Sequence, residues 1–148
     1  MTIAINIAIV IGTFFFMEGV AWFSHKYIMH GFLWSWHRSH HKVHPHALEM
    51  NDLFAVVFSI PSILCIYFGY SNPNLNWLLF IGIGIFCYGL FYVIFHDIIV
   101  HRRIKIPFKA KSKYMKRIIK AHYAHHEKHT KEDGESFGFL YASKKYEA

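Results

Sequence analysis

The stretch Trp77–Phe95, WLLFIGIGIFCYGLFYVIF, runs without a charged side chain straight into His96-Asp-Ile-Ile-Val-His101. An apolar run of about 20 residues is what a helix needs to cross the hydrocarbon of a bilayer. Two further stretches upstream read the same way. Ile3 to Phe23 is apolar apart from small polar residues and Glu18, and Leu53 to Tyr70 is apolar around Pro61. The fold class is therefore an all-α membrane protein with three transmembrane helices. The 148 residues form a single integral-membrane domain, 1–148, with no low-complexity linker. Ile3–Phe23 lacks a basic leader and a small-residue cleavage site, so it reads as a retained span rather than a signal peptide. Pro61 is expected to kink the second span, and Ser71-Asn-Pro-Asn74 is a turn between spans two and three.

The chain is 54% hydrophobic yet carries a formal charge of +7. All 16 Lys and Arg residues lie between Lys26 and Lys42 or from Arg102 onward. The other flanks, Met1–Thr2 and Ser71–Asn76, have none. The positive-inside rule places the two basic regions in the cytoplasm and the N-terminus outside. Cys65 and Cys87 fall in mid-span without CxxC spacing and read as packing residues.

Twelve of the 13 histidines repeat one pattern. The first copy is His25-x4-His30 with His37-x2-His40-His41-x2-His44; the second is His96-x4-His101 with His122-x2-His125-His126-x2-His129. Imidazole is a common transition-metal ligand, and two matched sets point to two metal ions. The charge bias puts both sets on one side of the membrane, as a shared centre requires. The expected architecture is thus three spans under a cytoplasmic cap of short helices carrying a dimetal site.

Helical spacing supports inward-facing histidines. Met115, Ile118, Ile119, His122, His125, His126 and His129 fall on one side of a 3.6-residue period, while Lys116, Arg117, Lys120, Glu127 and Lys131 lie toward the other. The basic side suits anionic headgroups; nucleic-acid binding does not fit a chain with this much spanning sequence. His37, His40, His41 and His44 share a face on a shorter helix. The x4 pairs are harder to place, because residues five apart on an α-helix diverge by about 140°. Each pair either flanks a binuclear site or is brought together by a local distortion.

The ligand set is nitrogen-rich. The inward Glu and Glu-x-x-His of carboxylate-bridged di-iron bundles are missing, and so is the HExxH of zinc hydrolases. Two irons activating dioxygen account for the number of imidazoles.

These residues resemble the bacterial β-carotene hydroxylases, within the fatty acid hydroxylase and sterol desaturase superfamily of membrane di-iron oxygenases. The resemblance is carried by His25-Lys-Tyr-Ile-Met-His30-Gly31, Trp36-His-Arg-Ser-His-His41, Asn51–Phe58, His96–His101, Ala121-His-Tyr-Ala-His-His126 and Ser136-Phe-Gly-Phe-Leu-Tyr-Ala142. The histidine boxes specify the superfamily, and the Asn51–Phe58 and Ser136–Ala142 stretches the carotenoid branch. The resemblance implies iron ligands at His25, His30, His37, His40, His41, His96, His101, His122, His125 and His126. His44 and His46 also occupy family positions, as possible supporting residues, while the resemblance weakens at His129. It further implies hydroxylation of the β-ionone ring at C3, converting β-carotene to β-cryptoxanthin and zeaxanthin, with O2 as co-substrate. A ferredoxin-type external electron donor is implied as well, since the chain has no flavin, haem-attachment or Rossmann signature. The implied location is the bacterial inner membrane, with the site on the cytoplasmic face.

Acidic residues near the boxes are candidate supports. Glu18 shares a helical face with His25, two turns deeper. A carboxylate inside a span costs roughly 2.5–3.5 kcal/mol on insertion scales, so Glu18 should face the bundle. It either touches a histidine or bridges helices as a neutral acid. Asp97 lies four residues before His101, on its face, and is the better candidate for a supporting role. Asn51 or Asp52 reads as a cap of the second span. Other oxidations within the superfamily — carotenoid ketolase, sterol oxidase or fatty-acid hydroxylase — share the boxes. A metal transporter would place ligands along the spans, and a di-haem carrier would pair histidines across the membrane interior; neither pattern is present.

Overall fold

The computed structural model describes residues 2–42 and 48–147, so His44 and His46 lie outside the described residues. Helix α1 (Ile3–Phe23) is followed by a π-helical segment, Ser24–Phe32, and a one-turn helix α2 (Trp34–His37). A 3-10 turn, Met50–Asp52, leads into α3 (Leu53–Ser71), and a second, Pro73–Leu75, into α4 (Asn76–Tyr92). Helix α4 also continues as a π-helix, Val93–Val100, and α5 (Lys113–His126) completes the cap. No strand occurs among the described residues.

Among the described residues, three helices are long and apolar enough to cross a membrane: Ile3–Phe32, Met50–Ser71 and Pro73–Val100. Their outward sides expose Ile7, Ile11, Phe15, Ile60 and Trp77, the surface that lipid would cover. Helix α3 runs unbroken through Pro61. Helix α4 packs on both α3 and α1. Glycine makes both approaches possible. A Cβ on Gly82 would lie 2.8 Å from the Ser62 carbonyl oxygen, and one on Gly84 would lie 2.8 Å from that of Val10. Small residues serve close helix packing in membranes in this way. The Ser62 hydroxyl also donates to the Gly82 carbonyl at 2.8 Å.

The cap is built on α5. Ser112 caps its N-terminus, accepting from the Met115 amide at 3.1 Å. Its apolar side buries Ile118 and Ala121 against Phe95, Val100, Phe139, Ala142 and Tyr146. Lys113, Lys116 and Lys120 stay exposed, as the periodicity requires. The first copy of the pattern departs from the expected helix: α2 ends at His37, and His40 and His41 sit in a turn closed by the His40 amide on the His37 carbonyl at 2.9 Å.

Candidate metal centre

The ten core histidines gather into two groups. His25, His30, His37, His41 and His125 form one; His40, His96, His101, His122 and His126 form the other. Within each group one ligand-capable atom per residue lies within 4.8 Å of all the rest. Each group takes four histidines from one copy of the pattern and one from the other: His125 crosses to the first, His40 to the second. The turn after α2 explains the second crossing, because it swings His40 away from His37 toward His96. The groups adjoin, with the His41 and His126 rings stacked at 4.6 Å between centroids.

The π-helical segments resolve the x4 pairs. An i→i+5 ladder brings residues five apart onto one side, as in the His101 amide to His96 carbonyl bond at 2.9 Å. His25 and His30 therefore meet in one group, and His96 and His101 in the other. At Gly31 the backbone leaves the helical region (φ −101°, ψ −122°), kinking the first π-segment just after His30.

Most rings are aimed by an acceptor at Nδ1. In the first group, His25 donates to the Phe137 carbonyl (3.0 Å), His30 to Lys131 (3.1 Å), His41 to Lys128 (2.8 Å) and His125 to Glu135 (2.8 Å). His37 donates to Asn51 Oδ1 at 2.7 Å. In the second group, His40 donates to the Glu49 carboxylate (2.8 Å) and His96 to the Asp97 carboxylate (2.7 Å). Neutral carbonyls thus hold the rings of one group, while carboxylates hold His40 and His96 of the other. Carboxylate partners raise the basicity of a metal-bound imidazole, so the two positions are chemically unequal.

A neutral ring that donates from Nδ1 carries a lone pair on Nε2. Yet Nε2 of His30 faces Nε2 of His125 at 3.2 Å, and Nε2 of His40 faces Nε2 of His96 at 2.9 Å. Two lone pairs in this position repel unless a cation lies between them. Ligand nitrogens about 2.0–2.1 Å from an ion stand about 3 Å apart, so the spacing fits two bound cations. The buried Nε2 of His126, without a hydrogen-bond partner, is another nitrogen that an ion would satisfy. Burial, with neighbouring rings adding to it, lowers the proton affinity of the cap histidines: His41 and His101 to about 4, His125 to about 3, His37 and His126 to about 2. Such rings are neutral, lone-pair donors at ordinary pH.

The supporting residues differ in part from the sequence expectation. Asp97 accepts from Nδ1 of its neighbour His96 at 2.7 Å. Glu18 bonds to no histidine among the described residues; it accepts from Tyr88 Oη and from the Phe139 and Leu140 amides. His129 lies outside both groups, exposed, and donates to the His41 carbonyl at 2.9 Å. Asp52 caps its turn, accepting from the Glu49 amide at 3.0 Å, whereas Asn51 turns to His37. Glu49 and Arg103 were not anticipated: Arg103 pairs with the Glu49 carboxylate that holds His40, and with Asp52 at 2.7 Å. The available signal for both was a charge of each sign beside a box, at a distance in sequence that spacing alone does not connect.

An apolar cavity of about 610 Å³ lies among the three spans. Met17 and Ala21 of α1, Phe58 and Ile63 of α3, and Gly89 and Leu90 of α4 help line it, and it ends on His25, His37 and His96, rings from both groups.

Residues 10–143 match the family model described as fatty acid hydroxylase. The chain is 47% identical to a β-carotene hydroxylase of Pantoea ananas, over 93% of this chain and 77% of that protein. It is 44% identical to the β-carotene hydroxylase of Pseudescherichia vulneris, over 95% and 78%. The chloroplastic β-carotene 3-hydroxylase 2 of Arabidopsis thaliana is 35% identical over 84% of this chain but only 41% of the plant protein. No solved structure matches. Paired histidine groups at the ends of apolar helices are thus met by similarity over nearly the whole chain, and the protein belongs to the fatty acid hydroxylase family, among relatives that are β-carotene hydroxylases.

Proposed function

We propose that this protein is a membrane di-iron monooxygenase that hydroxylates the β-ionone ring of β-carotene at C3, giving β-cryptoxanthin and then zeaxanthin. The observation that carries the reading is the apolar cavity, which leads from among the spans to both histidine groups. Its lining suits a hydrocarbon and offers few groups to a polar substrate. C3 lies opposite the carbon that bears the polyene, so a ring entering end-on presents C3 toward the histidines. The ten grouped histidines are the proposed ligands of two irons, and the chain 1–148 acts as one domain. When bound, the ions would supply the reductive activation of O2 that C–H hydroxylation requires. The protein's own part is to aim neutral imidazoles through fixed Nδ1 acceptors, to keep water from the cavity, and to seat the ring. Electrons would come from a ferredoxin-type donor. The basic cap supports a cytoplasmic site in the bacterial inner membrane.

Expression in a β-carotene-accumulating bacterium tests the proposal. Zeaxanthin should form through β-cryptoxanthin. Unchanged β-carotene from well-expressed, iron-loaded protein, or a ketone from oxidation at C4, would overturn it. Gly89 gives a second arm, because a Cβ there meets nothing within 4 Å. Gly89→Phe should fill the cavity and cut turnover on the order of 100-fold by displacing the ring, while leaving metal content unchanged.

A further inference from the structure

We propose that Glu18 is a positioning residue that assembles one of the two histidine groups from a distance; the inference rests on the two-ion reading above. Glu18 lies in α1, seven residues before His25. Its Oε1 accepts from the amides of Phe139 and Leu140, both at 2.8 Å. Its Oε2 accepts from the Tyr88 hydroxyl at 2.7 Å. A carboxyl group in a span is costly unless its oxygens are engaged, and here three donors from two parts of the chain converge on it. The fit is close: a Cβ on Gly138 would stand 2.5 Å from Oε1.

The chain held by Glu18 leads directly back to the histidines. Phe137, Glu135, Lys131 and Lys128 supply the carbonyls that receive Nδ1 of His25, His125, His30 and His41. The segment from Lys128 to Phe137 has no helix or strand of its own. Without an internal ladder, its carbonyls depend for their aim on contacts made from outside the segment. One end follows α5; the other is held at Phe139–Leu140 by Glu18, beside the packing of Phe139 against α5. The Tyr114 hydroxyl donates to the Leu140 carbonyl at 2.5 Å, while the amides of Phe139 and Leu140 both go to Glu18. The other histidine group draws on Glu49 and Asp97 instead. Loss of Glu18 should therefore disarm the His25 group and spare the His96 group.

The test is metal content of purified, iron-loaded full-length protein, combined with hydrogen exchange at the Phe139 and Leu140 amides. Wild type should hold about two ions per chain and Glu18→Ala about one, with faster exchange at both amides. Glu18→Gln retains a carbonyl acceptor and should restore both readouts. Adding His101→Ala to Glu18→Ala should remove the remaining ion, whereas adding His30→Ala should change little, because its group is already empty. If Glu18→Ala does not fold, Gly138→Ala pushes on the same oxygen and should give the same selective loss. Two ions retained with protected amides, or loss from the His96 group instead, would overturn the assignment. A wild-type chain that never holds two ions would sink the two-ion reading; amide exchange would then still decide whether Glu18 anchors the segment.

Discussion

At the scale of single residues, Asn51 does with a side-chain amide what Phe137 and Glu135 do with backbone carbonyls. It is 6% exposed and accepts the Nδ1 proton of His37 at 2.7 Å. Asn51→Leu would leave that N–H unpaired in a buried site and free the ring to turn. Metal affinity of the His25 group should fall about 10–100-fold, the usual cost of losing an outer hydrogen bond to a ligand. Asn51→Asp keeps the acceptor and should lose far less. Titration against a competing chelator measures both, and an unchanged affinity in Asn51→Leu would remove Asn51 from the support of His37. The histidines themselves were legible in the sequence because imidazole at repeated spacing has a chemical meaning. Their partners were less so. Four of them are backbone carbonyls, which any residue type can supply. Asn51 or Asp52 reads as a cap because a polar residue before an apolar run is usually one; Asp52 caps the turn, and Asn51 takes the ring.

At the scale of elements, the spans were legible from hydropathy, and the π-segments were not. An apolar run names a helix but not its ladder, and x4 spacing fits either a divergent α-helix or a convergent π-helix. The cap segment from Lys128 to Leu140 has no periodicity to read, because its structure is set by α5 and Glu18. Helix contacts were also hidden, since a glycine in a span marks either a close approach or nothing. Gly84 is a close approach: a Cβ would lie 2.6 Å from Thr13 Cβ. Gly84→Val must therefore push α1 from α4, at the cost of about 1–3 kcal/mol that overpacking brings. Gly89→Ala, with open space at its Cβ, should be close to neutral. Denaturant midpoints in one detergent compare the pair; equal midpoints would mean that α1 and α4 do not meet at Gly84.

At the scale of the whole molecule, three spans below a histidine-bearing cap could be foreseen, but the cavity could not. It exists because α1 and α3 both pack on α4, an arrangement that no single segment encodes. The same assembly buries the histidines, and this ties stability to pH. His37, His41, His101, His125 and His126 have their proton affinities lowered first by burial, to values between about 2 and about 4. The unfolded chain binds protons on these rings below about 6.5. Above that pH both states are unprotonated, and the stability of the metal-free fold should be flat with respect to these groups. As pH falls from about 6.5 toward 4, the unfolded state gains protons that the folded state refuses. Each such ring then lowers stability by about 1.4 kcal/mol per pH unit. The loss slows only where the folded rings themselves titrate, first His41 and His101 at about 4. Bound metal needs the same lone pairs and binds the fold alone, so it should move the onset of unfolding to lower pH. Unfolding midpoints of chelated and iron-loaded protein between pH 8 and about pH 4 measure this. A metal-free protein that grew more stable on acidification would mean that the grouped rings are charged in the fold, and that the facing nitrogens are not held ready for a cation.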